Sequence, residues 1–296
     1  MFTHNEEKHL EEAIESLLAQ TYKDFSLIIL DDNSTDKTPQ IIEHFAKKDK
    51  RILFYKNTQR MGYAANYRKT FELAGPDIDY FAWAAGHDKH EPRYLESLVN
   101  ELNSSPNVVM AYPLIERIAD NGESLNIPST IFETKGLNEL QRINKLYLRG
   151  VGFGNMIYGL FRANALPRVG VFQNYIMPDI FILWELSLFG TFSQVHEVLW
   201  IRRYPPSIVS IKRQRKNAFA RAPWYTYLPY PFVNAVAIFI DIVILPNDLQ
   251  RWSSRFYGFY MSLLFFIHFT KLEIKKILMN VGFIRNLVLD RNKIES

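Results

Sequence analysis

Asp31, Asp32 and Asp36 stand with Asn33, Ser34 and Thr35 in one run of six residues, directly after the apolar segment Ser26-Leu27-Ile28-Ile29-Leu30. Three carboxylates and two hydroxyls placed this way can hydrogen-bond a nucleobase or a ribose. The apolar run is short and uniform, as a strand buried on both faces would be. Asp31 and Asp32 then fall at its carboxyl end, where open α/β sheets hold their ligand crevices. A polar turn followed by a helix cap would use the same residue types. A second pair, His87 and Asp88, ends another apolar run, Tyr80 to Ala85, and would lie along the same sheet edge. A carboxylate beside an imidazole can bind Mg²⁺ or Mn²⁺, which in turn holds a diphosphate. A capped turn with a surface histidine is the alternative.

The elements that must position these groups alternate through the first 110 residues. Asn5 can cap a helix whose apolar positions Leu10, Ala13, Ile14, Leu17 and Leu18 follow helical spacing. Thr38 and Pro39 open a second helix as N-cap and first residue. Ile52 to Tyr55 reads as a strand, Met61 to Ala74 as a helical unit carrying Asn66, Tyr94 to Leu102 as a helix and Val108 to Tyr112 as a strand. This alternation predicts an α/β/α sandwich with a mostly parallel sheet. After Pro113 the pattern loosens. A helix from Gly136 to Arg149, a strand from Asn155 to Phe161 with Gly154 beside it, a helix opened by Asp179 and a last strand from Val195 to Ile201 follow. An aspartate at a helix start is ordinarily a cap.

At 296 residues the chain has room for one large domain or a domain and an appendage. It is 48% hydrophobic and 22% charged, which excludes wholesale disorder. With no cysteine it has neither disulfides nor thiolate chemistry, which fits a reducing, cytoplasmic location. The net charge of +4 does not call for nucleic acid. Its distribution matters more: Arg202, Arg203, Lys212, Arg213, Arg215, Lys216 and Arg221 form a block without any acid. Such a block suits phosphates, of a nucleotide or of a membrane surface, or is a solvated loop. No secretory leader is expected, because the polar Thr3-His4-Asn5-Glu6-Glu7 follows the start. Leu228 to Leu245 is apolar but interrupted by Pro229, Pro231, Asn234 and Asp241, and Phe256 to Phe269 is 14 residues long. Both fall short of the roughly 20 residues that span a bilayer. With the segment from Trp224, they suit a peripheral membrane anchor or helices buried against the rest of the protein. A boundary is expected near residue 205, at Pro205-Pro206, dividing residues 1–205 from a basic linker and aromatic helices at 206–296.

In order along the chain, Ser16-Leu17-Leu18-Ala19-Gln20-Thr21-Tyr22, Asp31-Asp32-Asn33-Ser34-Thr35-Asp36, Gly62-Tyr63-Ala64-Ala65-Asn66, Tyr158-Gly159-Leu160-Phe161-Arg162, Asp179 with Ile180 to Leu186, and Glu197 to Arg203 resemble the inverting glycosyltransferases of family 2, which have the GT-A fold. The resemblance runs from Thr3 to about Arg203. It implies a nucleotide-sugar donor, UDP- or dTDP-linked first, and a glycan, lipid-linked or other hydroxyl acceptor. Asp32 would contact the nucleobase, with Asp31 beside it, and Asn66, Arg202 and Arg203 would belong to the nucleotide site. His87 or Asp88 would take the place of the metal-binding acidic motif, with Mn²⁺ or Mg²⁺. Asp179 would be the catalytic base. The motif normally carries two acids, and Gly86-His87-Asp88 supplies one. The family's first strand normally precedes Thr3-His4-Asn5, so that strand is expected to be missing here. A catalytically silent nucleotide- or sugar-binding homologue and a membrane-surface scaffold are the competing readings.

Overall fold

A computed structural model of the chain describes residues 1–149, 156–169, 171, 172, 174, 178–204, 211–228, 230–240, 256–264, 266, 267, 270, 271 and 274. Gly154, Asn155, Pro205, Pro206 and much of the segment after residue 240 lie outside the described residues. The chain divides into two compact units, residues 1–223 and 224–296. The division falls beyond the expected boundary near 205. The physical reason is that the end of the basic block folds back on the first unit, where Ala220 N–H donates to Met61 O.

The expected α/β architecture forms in the first unit. Strands β1 (Phe2–Thr3), β2 (Leu27–Asp31) and β3 (Ile52–Lys56) make a parallel sheet in the order β1-β2-β3. Helices α1 (Leu10–Leu18), α2 (Thr38–Lys48) and α3 (Tyr63–Ala74) alternate with these strands. The first strand is therefore not missing. Phe2 and Thr3 pair with Leu30 and Asp31, and the Met1 amine donates to Ile28 O. Two residues suffice because every residue of β2 beside them is buried, leaving its backbone groups no water to bond. The apolar faces of α1 and α2 close over β2 through Leu10, Ile14, Leu17, Ile29, Ile42 and Phe45.

The second sheet is mixed. β4 (Tyr80–Ala82), β5 (Lys89–His90), β6 (Val108–Ile118), β7 (Leu160–Arg162) and β8 (Thr191–Arg203) run in the order β4-β7-β6-β8-β5. Only β6 and β8 are parallel in it, while β7 lies antiparallel to both β4 and β6. Helices α4 (Tyr94–Ser104), α5 (Glu139–Arg149) and α6 (Pro178–Phe189) complete the layers, with α7 (Ile211–Ala218) after β8. β6 does not loosen at Pro113 but runs on to Ile118. The proline sits at a shift in register, a place where a strand tolerates its missing N–H.

Candidate active site

The loop after β1 and the loop after β2 interlock at the carboxyl end of the first sheet. Asn5 is not a helix cap. It holds φ +56°, its N–H donates to Ser34 Oγ at 2.9 Å, and its Oδ1 accepts from Thr35 N–H at 2.9 Å. Glu6 N–H donates to Thr38 Oγ1 at 2.8 Å, so α1 starts only at Leu10. Asp31 is fully buried and accepts from Ser34 N–H at 3.1 Å, which curls the chain back at the strand end.

Asp32 is buried and organises the next loop. Its carboxylate accepts from Asn57 Nδ2 at 2.9 Å, Met61 N–H at 2.7 Å and Gly62 N–H at 3.0 Å. Burial pushes this carboxyl up, but the donors from Met61, Asn57, Asn66 and Gly62 outweigh it and hold it below the usual range. Asn66 Oδ1 also receives Asn57 Nδ2 at 2.7 Å, and its Nδ2 donates to Gly62 O at 2.9 Å. Lys69 donates to Asn57 Oδ1 at 2.7 Å. Gly62 is obligatory: its φ is +86°, and a Cβ there would lie 2.6 Å from the Ala218 carbonyl oxygen.

His87 and Asp88 follow β4 and sit against β8. Asp88 is almost fully buried and both oxygens are engaged, one by Trp200 Nε1 at 3.1 Å and one by Arg203 N–H at 2.9 Å. Burial raises its carboxyl despite those bonds and the nearby His87. His87 is 38% exposed; its Nδ1 lies 3.2 Å from Glu6 and its Nε2 3.9 Å from Asp88. Burial opposes protonation of this imidazole, but Glu6 and Asp88 outweigh it and raise its pKa. Among the described residues no three His, Asp or Glu side chains form a group able to hold a metal.

The two adjacent arginines diverge because β8 alternates. Arg203 points inward and spends its guanidinium on His87 O, Ala119 O, Asp120 O and the Glu12 carboxylate at 2.8–3.3 Å. Arg202 points the other way, is half-buried, and lies 5.6 Å from the Trp200 ring and 4.6 Å from that of Tyr204.

Asp179 lies in the first turn of α6, a helix buried on nearly all sides. Burial pushes its carboxyl up to about 6, against the Ile180 and Asp179 amides and the charge of Arg202. Its charge in turn reaches the hydroxyls of Tyr63, Tyr67 and Tyr158, all of which burial raises first. Those tyrosines belong to an aromatic layer: Tyr67 hydrogen-bonds Tyr158, stacks on Phe172 at 4.2 Å, and accepts Trp83 Nε1 at its carbonyl. Residues 175–177, which lead into Asp179, lie outside the described residues.

Electrostatic reach thus groups Asp179, Arg202, His87 and Asp88, since Arg202 acts on all three. Asp31, Asp32 and Asn66 form a separate hydrogen-bonded group at the end of β2. Glu6, Asn57 and Tyr67 were not foreseen from the sequence, while Tyr63 and Tyr158 stood in the motifs of the resemblance with no role assigned to them. Glu6 meets His87 from 81 residues away and Tyr67 meets Tyr158 from 91, and no local pattern marks these contacts. A cavity of about 610 Å³, lined by Leu27, Ile28, Thr70, Tyr80, Trp83 and Tyr94, lies toward the opposite end of β2 and takes no part in this arrangement. An acid that accepts its proton near pH 6, beside a cation and within an aromatic wall, can serve as a proton acceptor at neutral pH.

Sequence and fold are both similar to those of known proteins. The model of "Glycosyl transferase family 2" matches residues 1–165. An uncharacterized glycosyltransferase of Haemophilus influenzae is 23% identical over 98% of this chain and 96% of its own length. The GalNAc(5)-diNAcBac-PP-undecaprenol beta-1,3-glucosyltransferase of Campylobacter jejuni is 26% identical over 55% of this chain and 50% of its own. An uncharacterized glycosyltransferase of Methanocaldococcus jannaschii is 35% identical, and the match spans 42% of this chain and 43% of that relative. The fold is that of S. aureus TarS 1-349 in complex with UDP-GlcNAc (TM-score 0.61, 16% identity, 89% of this chain and 69% of that one). It is also that of the mannosyltransferase PcManGT from Pyrobaculum calidifontis in complex with GDP-Man and Mn²⁺ (TM-score 0.52, 14% identity, 91% and 84%). With more than half of its length matched by the family model, the chain belongs to glycosyl transferase family 2.

Proposed function

We propose that the chain moves a sugar from a nucleoside-diphosphate donor to an acceptor hydroxyl with inversion at the anomeric carbon, Asp179 acting as general base. The observation that supports this reading is the position of Asp179 in the first turn of the buried helix α6, where burial pushes its carboxyl up to about 6 within the field of Arg202. In the step proposed, the acceptor oxygen bonds the anomeric carbon as the carbon–oxygen bond to the diphosphate breaks. The acceptor proton passes to Asp179 and the nucleoside diphosphate leaves with the bonding pair. A base of pKa near 6 is ionised at neutral pH and still basic enough to take that proton in the transition state. Arg202 would supply the cation that steadies the departing charge.

The nucleotide belongs at the end of β2. Asp32 and Asn66 act there by holding the loop of residues 57–62 in shape, since the Asp32 oxygens already accept three hydrogen bonds. Arg203 serves as a brace, its donors being spent on protein carbonyls and Glu12. UDP or dTDP is the first choice of nucleotide, supported by the UDP-GlcNAc bound to TarS; the GDP-Man of PcManGT keeps guanosine in the test. A lipid-linked glycan is the favoured acceptor, supported by the name of the Campylobacter relative. With such an acceptor the protein would work peripherally on the cytoplasmic face of a membrane. No described helix is long and apolar enough to cross one.

A divalent cation held mainly by the substrate's phosphates needs only one or two protein donors. The partly exposed His87 and the neighbouring Glu6 fit that need, whereas Asp88 has both oxygens engaged inside the protein. When bound, Mn²⁺ or Mg²⁺ would neutralise charge on the diphosphate. The engagement of Asp88 and Arg203 also favours a second reading, a nucleotide-binding homologue without turnover.

Calorimetric titration of UDP, dTDP and GDP, with and without Mn²⁺, tests the donor site, and nucleotide release from the matching sugar nucleotides tests turnover. The proposal predicts binding and turnover in the wild type, and binding without turnover in Asp179→Asn. Binding without turnover in both proteins would favour the silent homologue, equal turnover in both would overturn Asp179 as the base, and absence of nucleotide binding would overturn both readings.

A further inference from the structure

The second unit is built the wrong way round for water. Helix α8 (Tyr230–Phe239) and the helical residues 256–264 meet through small or slender groups: Ala235, Ala237 and Met261 are buried, and Ser262 Oγ donates to Ala235 O at 2.6 Å. Gly258 is buried as well. Large apolar side chains point outward instead. On α8 and its next residue, Phe232, Val236 and Ile240 are exposed at a spacing of four, one stripe on the helix surface. On the second segment Phe256, Phe259, Leu263 and Phe266 are exposed at spacings of three and four, again one stripe. Phe256 is 63% exposed, and Trp224, at the entry to the unit, is 76% exposed.

In water the reverse arrangement is expected, because each exposed Phe or Leu forfeits the burial that would stabilise it. Small residues between helices and large apolar ones outside is how helices pack when lipid is the solvent. Among the described residues no helix is long and apolar enough to cross a bilayer, and the exposed stripes suit an interfacial element, with Trp and Tyr at the headgroup level. Trp224 and the exposed Tyr227 supply those rings. Charge selects the lipid. From Tyr204 to Ile240 the sequence holds no Asp or Glu but five Arg and Lys, a run attracted to anionic headgroups.

We propose that Phe232, Val236 and Ile240, with Phe256, Phe259, Leu263 and Phe266, form a face that docks on the surface of an anionic phospholipid bilayer. The inference deepens the reading of a membrane-borne acceptor and rests on that part of it, while standing apart from the sugar chemistry. The face enters the acyl boundary of that bilayer.

The test is sedimentation of the full chain with vesicles of phosphatidylglycerol and phosphatidylcholine, for the wild type and for Phe232→Glu combined with Phe259→Glu. Calorimetric nucleotide titration of both proteins runs in parallel. The proposal predicts that the wild type pellets with the anionic vesicles and less with pure phosphatidylcholine. In the double variant vesicle affinity falls about tenfold or more, while nucleotide binding is unchanged. Loss of nucleotide binding in the wild type would overturn the donor reading and leave the vesicle result to stand alone. Failure of the wild type to pellet, or equal pelleting of the two proteins, would overturn the docking face. So would a wild-type dimer in light scattering that the double variant turns to monomer, since a second copy would then cover the face. Where the charged variant does not fold by circular dichroism, Val236→Asn with Leu263→Asn replaces it. Quenching of wild-type tryptophan fluorescence by brominated lipid is a second readout, and absence of quenching overturns the proposal.

Discussion

Asp32 and Asp179 are both acids that the fold draws out of water, one at the end of β2 and one at the start of α6. Asp32 is met there by three donors from the loop after β3, and its carboxyl is held below the usual range. Asp179 receives two amides at the head of its helix and the field of Arg202, and burial still wins, lifting it to about 6. Burial alone does not decide the fate of a carboxylate; the number of donors the fold aims at it does. A fully answered acid is locked in its charged form and can only hold structure. An under-answered acid can exchange its proton near neutral pH, which is what a base must do.

The comparison can be broken most sharply by removing the charge from each acid in turn. Asp179→Asn is expected to slow sugar transfer by about 10²- to 10⁴-fold, with nucleotide affinity unchanged by calorimetry. Asp32→Asn should do the opposite. Its amide would turn a donor toward the Met61 or Gly62 N–H and strand it, costing about 2–3 kcal/mol in urea unfolding, with nucleotide affinity lost as the loop gives way.

The pH dependences should differ in sign. Because the folded protein raises Asp179, it holds that proton more tightly than the unfolded chain does, and stability is lost as pH rises from about 4 to about 6. Asp179→Asn should therefore be more stable than the wild type at pH 7 by about 2 kcal/mol, less than the full shift because the side chain keeps some solvent access. Asp32 is lowered, so its contribution is present above the ordinary aspartate range and is lost as pH falls through the folded value. Urea titrations at several pH values would check both. The smallest effect should come from Arg203→Lys, at about 1–2 kcal/mol of stability, since one ammonium cannot replace a guanidinium shared among four acceptors. The same change should leave turnover near that of the wild type, whereas Arg202→Lys should lower it.

Much of this was legible in the sequence. The buried strand before Asp31, the alternation of helices and strands and the position of Asp179 at a helix start all follow from apolar runs and local turn chemistry. The rest depended on contacts between distant segments. Asn5 reads as a cap because Asn favours caps, yet Ser34 and Thr35 from the next loop claim it. Arg202 and Arg203 are indistinguishable as a pair of letters, and only the pleat of β8 sends one to Glu12 and the other to the Trp200 and Tyr204 rings. β1 was expected to be missing because the strand that the resemblance implies would normally precede Thr3-His4-Asn5, where only two residues stand. It forms because the edge of β2 beside it is buried and supplies the pairing. The inverted packing of the second unit was likewise hidden, since an apolar period of three and four looks the same whether the stripe faces in or out.

The most direct test of the central claim is a carbon-13 NMR titration of the aspartate carboxyls in the full chain, with Asp179→Asn to assign the resonance. The account predicts that one aspartate titrates near pH 6, two units above an ordinary side chain, and that this titration disappears in the variant. A resonance assigned to Asp179 that titrates near 4 would contradict it.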